Sequence, residues 1–471
     1  MLKRFASPLL FVSLAVCFFT VLLARVDPDY FWRLKNGEMI LTEGRFPMTE
    51  IYSYTSPGAR TISNAWVSEV ILYAVHHHFG YAAQAALHGL LLAFAHLLIF
   101  IFLKRKAGLT RLPSAALTLL CALNTFMLLE PRTQNFGFIF FVLSFFFIAD
   151  WDAGDDRAPY FLAFLLLPWV NLHSGFVIGI IELGLLALGK VIQDRKLSFK
   201  SLAPLFLGIL LSCFNPEGIH AFNIPTQSFK LRVIRAITEA KPLDIVRPEL
   251  FYPYLALLSL LAIFGIKDLL MRRFPWMLLL LALLYQSLTF QRMIPYFAVV
   301  CVLCLGFSIS GMPAAPWIKK FHAFLLAAAG GTAIAVSFIT VRTYYPWTEN
   351  LMHERYPRDS VRLILENYPG KNIFSTFEWG GYLLYYLHPN NRISLDSRTM
   401  PYLDFIRLVY LPLINGAPEA HSILDRMNAD IILLPNAFRL THFMRDQKDW
   451  NLILDNGKES LFAKKDIKKV P

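Results

Sequence analysis

Long apolar runs, one after another, constrain this chain more than any other feature. They cover residues 6–24, 81–103, 113–129, 136–149, 160–172, 176–192, 202–214, 252–266, 274–290, 294–311 and 321–341. A helix needs about 20 apolar residues to cross the hydrocarbon core of a bilayer. Several runs are shorter than that, but a soluble core has no use for so many. The expected fold class is a polytopic α-helical membrane protein with about 11 transmembrane helices and a C-terminal soluble α/β domain. Composition agrees: 56% of the residues are hydrophobic, 41 are Phe, and only 17% are charged, against about 25% in soluble domains. Mean hydropathy is +0.48.

The net charge of +12 is topological. Its excess sits in short loops: Lys104-Arg105-Lys106, Arg195-Lys196, Lys267 with Arg272-Arg273, and Lys319-Lys320. The C-terminal part is close to neutral, whereas a nucleic-acid reader would carry its basic patch there. Placing Lys3-Arg4 in the cytoplasm puts every one of these loops there by the positive-inside rule. The C-terminal domain is then extracytoplasmic. Cys17, Cys121, Cys213, Cys301 and Cys304 all fall inside apolar runs, so no disulfide framework is expected. The first run is long for a signal peptide and lacks a small-residue cleavage site, which makes it an uncleaved first span.

The expected organisation is a helical domain over 1–343, with outer loops at 25–80 and 215–250, followed by an extracytoplasmic α/β domain over 344–471. In the first loop, residues 29–43 can form a helix, with Phe31, Leu34, Met39 and Ile40 as an apolar side lying on the membrane surface. A second amphipathic stretch, 66–79, leads into the second span. Beyond residue 343 the pattern alternates: helix 360–367, strand 372–375, helix 380–387, strand 392–396, helices 401–413 and 419–427, strand 430–434, helix 439–446, and strands 452–454 and 460–463. This βα alternation predicts a small, mostly parallel sheet.

Under this topology the polar motifs collect at the outer face: Asp27-Pro28-Asp29, Glu130-Pro131-Arg132-Thr133-Gln134, Asn171-Leu172-His173, Asn215-Pro216-Glu217-Gly218 and Gln291-Arg292. Two carboxylates near the bilayer surface can hold a divalent cation, and one can take a proton from a hydroxyl nucleophile. Asp27 is equally a good helix N-cap, followed by Pro28 at the first helical position. Asp29 is the stronger candidate for the reactive carboxylate. Arg132 and Arg292 can pair with a lipid phosphate or snorkel to headgroups. Asn171 and His173 can bind a sugar hydroxyl or a phosphate, or close helix ends. Glu182 lies within a span and can be neutral and hydrogen-bonded between helices. His76-His77-His78 points three ways on a helix and does not make a metal site. No Walker loop, GxSxG or HExxH motif occurs, so nucleotide-driven transport, serine hydrolysis and zincin chemistry have no support.

Residues 27–69 resemble the first outer loop of the GT-C superfamily of membrane glycosyltransferases. The likeness rests on Asp27-x-Asp29-Tyr30-Phe31-Trp32-Arg33-Leu34, Gly37-Glu38, Pro47-Met48-Thr49-Glu50, Tyr52-Ser53-Tyr54-Thr55 and Asn64-Ala65-Trp66-Val67-Ser68-Glu69. Pro131-Arg132-Thr133-Gln134, Trp169 to Phe176, Asn215 to Gly218 and Arg292 to Tyr296 look like signatures of uncharacterised bacterial members. Phe374 to Tyr382 and Ile393 to Thr399 are similar in layout to the soluble domain of oligosaccharyltransferase catalytic subunits. Here Phe377-Glu378-Trp379-Gly380-Gly381 stands in place of a Trp-Trp-Asp pattern, so an Asn-linked acceptor sequon is not implied.

The resemblance implies inverting transfer of a sugar from a polyprenyl-phosphate donor to an acceptor at the outer leaflet. Asp29 would be the base. Arg132, Arg292 or a divalent cation (Mg or Mn) held by Asp27 and Asp29 would stabilise the departing phosphate. Gln134, Asn171, His173, Trp66 and Glu69 would join the substrate contacts. Membrane lipids and an unidentified acceptor are the other expected partners, nucleic acid is not, and the bacterial plasma membrane is the expected location. Two other readings compete. A non-catalytic assembly partner would tolerate Asp29→Asn. A lipid or polysaccharide transporter would show repeat symmetry and charges along a midplane path, and the sequence shows little of either.

Overall fold

A computed structural model describes residues 26–61, 65–125, 128–223, 248–265, 274–310, 355–416 and 419–467, with a few isolated positions elsewhere. The chain forms two compact units. One takes Met1–Arg25 and Phe79–Tyr345; the other takes Val26–His78 and Pro346–Pro471. Residues 26–78, expected from sequence as an outer loop of the helical domain, are thus grouped with the C-terminal residues.

Among the described residues, four helices are long and apolar enough to cross a membrane: Trp66–Arg105, which enters the helical unit at Phe79, and Gln134–Asp152, Phe176–Asp194 and Gln291–Ser310 within that unit. Shorter apolar helices cover Arg111–Leu123, Ala158–Leu172, Phe199–Ser212, Pro248–Leu260 and Phe274–Thr289. Each coincides with an expected run. The last expected span, 321–341, and most of the first, 6–24, lie outside the described residues, as does most of the 215–250 loop. The amphipathic stretch 66–79 and the second span form one helix broken at Gly80, whose φ of 74° is a conformation open mainly to glycine.

The burial pattern is that of a protein in lipid. Phe138, Phe141, Phe145, Trp169 and Trp276 are buried, while Leu90, Phe94, Phe161, Phe164, Phe206 and Leu210 are exposed. So many large apolar side chains facing outward are stable only under a hydrocarbon cover. Polar groups go inside instead: Asn135 Nδ2 lies 3.1 Å from His88 Nδ1, and Gln84 Nε2 lies 3.1 Å from His88 Nε2. Hydrogen-bonded polar side chains of this kind join helices where lipid offers no partner. The chain is an integral membrane protein.

The second unit carries a five-stranded sheet. Its strands are β1 (Asn372–Ser375), β2 (Arg392–Ile393), β3 (Ile431–Pro435), β4 (Trp450–Asp455) and β5 (Glu459–Lys464), in the order β2-β1-β3-β5-β4. β1 pairs in parallel with β2 and β3, while β5 runs antiparallel to both β3 and β4. The expectation of a mostly parallel sheet is therefore corrected to a mixed one. The reason is local: β4 and β5 are joined through Asn456-Gly457, with Gly457 at φ 83°, and so short a turn can only return antiparallel. The expected helix 401–413 is present as a 3-10 turn at Met400–Tyr402 leading into a continuous helical run over Leu403–Ile414, whose middle turn, Ile406–Tyr410, is of the π type. Pro412 accounts for the widened turn, because it supplies no N–H to the preceding turn.

Residues 26–61 are built into this unit. Tyr54 N donates to Ile393 O and Ile393 N to Tyr52 O, both at 3.1 Å, so the Tyr52–Tyr54 segment closes the free edge of β2 with a parallel bridge at Ser53. Thr55 Oγ1 donates to Ser394 O beside it. A covered edge no longer invites another chain to pair. The Tyr30–Glu43 helix packs on the Phe377–Leu387 helix. Phe31 is fully buried there, with ring centroids 5.1 Å from Tyr356, 4.9 Å from Tyr382 and 5.8 Å from Tyr385. Phe31, Leu34 and Met39 are buried protein core, which corrects their expected place on the membrane surface. Phe31, Leu34 and Met39 do form an apolar stripe, with Ile40 half-buried beside it, but the cover is an aromatic protein face instead of lipid.

The two helices meet at Gly381, where an added Cβ would lie 2.8 Å from Pro28 O. Gly381→Ala is expected to destabilise this unit by about 1–3 kcal/mol through overpacking. Thermal unfolding in detergent checks this against Gly184→Ala, where nothing lies within 4 Å and the melting temperature should hold.

Candidate functional site

The described residues place the strongest sequence candidates at the start of the Tyr30–Glu43 helix. Arg355 Nη1 holds Val26 O at 2.8 Å, which fixes the chain just before Asp27. Asp27 is 3% exposed, and its Oδ1 accepts the Asp29 N–H at 2.6 Å. That bond makes the turn from which the helix starts, the capping role open to Asp27 from sequence. Asp29 is different. It makes no capping bond, and its side chain is 38% exposed. Its Oδ1 accepts Trp32 Nε1–H at 3.1 Å, and Arg33 Nη2 stands 4.0 Å from Oδ2. Asp29 is therefore an aimed carboxylate open to its surroundings.

From Asp29 a chain of polar contacts runs inward. Arg33 Nη1 donates to Glu69 Oε1 at 3.0 Å, and the Glu69 side chain is wholly buried. Asn36 Nδ2 reaches the other Glu69 oxygen at 3.4 Å, and Tyr52 OH donates to Asn36 Oδ1 at 3.4 Å. Trp66, one turn before Glu69, sets its ring edge-on to Phe46 at 5.5 Å.

A second cluster joins two residues far apart in the chain, Glu50 and Arg398. Glu50 Oε1 accepts the Tyr52 and Ser53 amides at 2.7 and 2.8 Å, and Oε2 lies 2.7 Å from Arg398 Nη2. The Arg398 guanidinium forks onto Asp396 at 2.8 and 2.5 Å, and Tyr402 OH donates to Asp396 Oδ2 at 2.8 Å. Burial works against the Arg398 cation, but Asp396, Tyr402 and Glu50 outweigh it and hold its pKa well above the ordinary arginine value. Burial pushes the Tyr52 and Tyr402 phenols up, so both remain O–H donors at any working pH. The Trp32 ring lies near both clusters, 4.2 Å from Arg33 Cζ and 5.7 Å from Arg398 Cζ.

The other candidates belong to the helical unit. Arg132 Nη2 pairs with Glu130 at 2.7 Å, and Gln134 Nε2 donates to Tyr296 OH at 3.3 Å. His173 Nδ1 accepts the Gly175 N–H at 2.9 Å and packs against Gly137, where a Cβ would meet it at 2.7 Å. Arg132, Gln134 and His173 are thus gathered around the first turn of the Gln134–Asp152 helix. Asn171 donates to Leu167 O and Phe214 O, both at 2.9 Å, and so ties two helix ends together. Arg292 Cζ lies 5.9 Å from the Phe290 ring.

Among the described residues no three His, Cys, Asp or Glu side chains converge as a metal-binding group. His76 is hydrogen-bonded to Tyr30 OH at 2.8 Å, and His77 stacks on Tyr73. Sequence reasoning singled out neither Arg33, Glu50, Asp396, Arg398 nor Tyr402 as site residues. Arg33 was within reach, one helical turn from Asp29 and of opposite charge. The Glu50–Arg398 pair left no local signal.

No protein-family profile matches the chain, and no curated protein matches it in sequence. Its structure does match solved ones. The archaeal oligosaccharyltransferase AglB from Archaeoglobus fulgidus, in complex with an inhibitory peptide and a dolichol-phosphate, aligns with a TM-score of 0.63 at 12% identity, over 92% of this chain and 69% of that one. The arabinofuranosyltransferase AftD from Mycobacteria aligns at 0.58 and 12% identity, over 98% of this chain and 40% of that one. Both are GT-C glycosyltransferases. The chain is a membrane protein with the GT-C glycosyltransferase fold.

Proposed function

We infer that this protein is a glycosyltransferase that moves a sugar from a polyprenyl-phosphate donor to an acceptor at the outer face of the membrane, with inversion at the anomeric carbon. The observation that carries the reading is Asp29: a part-exposed carboxylate, aimed by the Trp32 N–H with Arg33 4.0 Å away, at the start of the first-loop helix of a GT-C fold. Fold likeness alone would not license a function; the site adds a group able to do the chemistry. AglB was solved with a dolichol-phosphate, which supports a polyprenyl-phosphate partner. In the proposed reaction Asp29 takes the proton of the acceptor hydroxyl, whose oxygen attacks the anomeric carbon as the bond to the donor phosphate breaks. Arg132 and Arg292 are assigned to the negative charge on the departing phosphate. Gln134, Asn171, His173, Trp66 and Glu69 are assigned to substrate contacts. The extracytoplasmic placement of the C-terminal domain and the bacterial plasma membrane are part of the same proposal.

The donor set of Asp27 and Asp29 suits a hard divalent cation such as Mg or Mn, which commonly takes one or two carboxylates and completes its shell with water and phosphate. When bound, the cation would neutralise charge on the leaving phosphate. Asp27→Asn separates this role from capping, because an amide oxygen can still accept the Asp29 N–H. The cation role predicts about a 10-fold or greater fall in turnover that added Mn partly restores. A pure cap predicts near-normal turnover and no response to chelation.

The reading is tested by incubating the purified protein with radiolabelled polyprenyl-phosphate sugars and membrane extract as the acceptor source, then assigning the anomeric configuration of the product. Transfer with inversion supports it. Transfer with retention would remove the single-displacement mechanism. Donor binding without transfer in a folded sample would favour a non-catalytic partner that kept the fold.

A further inference from the structure

The geometry points to Arg398 as a positioning residue for Asp29, an inference that rests on the reading of Asp29 as the base. Arg398 belongs to the C-terminal part of the chain and touches neither Asp29 nor any reacting atom. Its side chain is 8% exposed, and its guanidinium is fixed by the fork onto Asp396 and by Tyr402 OH at 2.9 Å, with Glu50 Oε2 2.7 Å away adding charge attraction. A cation held on so many points cannot swing. It lies 5.7 Å from the centroid of the Trp32 ring, within cation–π range.

Trp32 is 6% exposed and passes the constraint on. Its indole N–H is the donor to Asp29 Oδ1, and Arg33 lies 4.2 Å from the same ring. A part-exposed aspartate has several rotamers open to it. Arg33 at 4.0 Å is too distant to select one by a hydrogen bond. The Trp32 N–H is directional, and its direction depends on where the indole is held. Arg398 therefore sets the aim of the base through one aromatic ring, and an error of about 1 Å at such a group can cost about 100-fold in rate.

The test uses the full-length protein carrying 5-fluorotryptophan, with the variants Arg398→Lys, Trp32→Phe and the double variant, and Arg445→Lys as the control at an exposed pair. Lysine keeps the charge opposite Asp396 and Glu50 but loses the fork and the flat face, so the fold should survive. Two readouts are needed. The fluorine resonance of Trp32, assigned by its loss in Trp32→Phe, should shift in Arg398→Lys and hold in Arg445→Lys. In turnover of a polyprenyl-phosphate sugar, Arg398→Lys should lower kcat by about 10- to 100-fold with KM unchanged, and the double variant should be no slower than the slower single one. An unmoved Trp32 resonance overturns the inference whether or not the protein turns over. So does a normal kcat in Arg398→Lys alongside an inactive Asp29→Asn, or effects that multiply in the double variant. A shifted resonance in a protein without turnover would uphold the hold on Trp32 and count against the assignment of Asp29 as base.

Discussion

Asp29→Asn is expected to lower turnover of a polyprenyl-phosphate sugar by about 10²–10⁴-fold, the range supplied by a positioned general base. KM for the donor should change little. The amide keeps the size and shape of the carboxylate, and its oxygen can still accept the Trp32 N–H, so the local structure has no reason to collapse. What it loses is basicity. The loss should therefore appear in kcat, which identifies a group that acts in the transition state. Equal turnover of wild type and variant would take Asp29 out of the mechanism, and a loss confined to KM would make it a binding group. Activity of Asp29→Asn should also be compared with Glu69→Gln. Glu69 is buried and is joined to Asp29 through Arg33; its neutralisation should be milder and accompanied by a lower melting temperature.

Phe31→Ala carries the largest expected cost in stability, about 3–5 kcal/mol, the usual range for emptying a buried aromatic site. Phe31 is wholly buried and meets the rings of Tyr356, Tyr382, Tyr385 and Tyr386, with centroids 4.9–6.1 Å away. These rings belong to the C-terminal part of the chain and cannot close over the vacated space without moving the Phe377–Leu387 helix. The expected result is a lowered unfolding temperature in detergent and faster proteolysis within residues 346–471. Had Phe31 lain on the membrane surface, the substitution would weaken lipid association and leave proteolysis unchanged, so the same pair of measurements separates the two placements.

Much of the secondary structure was legible because its signals are local. Among the described residues, apolar runs located the helices of the membrane unit, most of them to within a few residues although the 113–129 run overshoots the Arg111–Leu123 helix, and βα alternation located the strands of the sheet. Strand directions were less legible, since β4 and β5 are antiparallel for a reason confined to the Asn456-Gly457 turn. The site was legible in proportion to how local its contacts are. Asp27 and Asn171 show the capping and helix-end chemistry that their sequence context allows. Asp29 stands out because no such bond occupies it.

The sequence by itself determined that this chain lives in a membrane, where its helices run, that an α/β domain follows, and that a carboxylate pair opens the first long loop. Each of those follows from hydrophobic period, charge placement and residue type within a short window. Only the tertiary structure decided that residues 26–78 fold with the C-terminal part, that the apolar stripe of Phe31, Leu34 and Met39 is covered by protein, and that Glu50 meets Arg398. Those outcomes depend on pairing surfaces hundreds of residues apart. A stripe or a lone charge in one segment states that it needs a partner, and the fold alone selects which partner it meets.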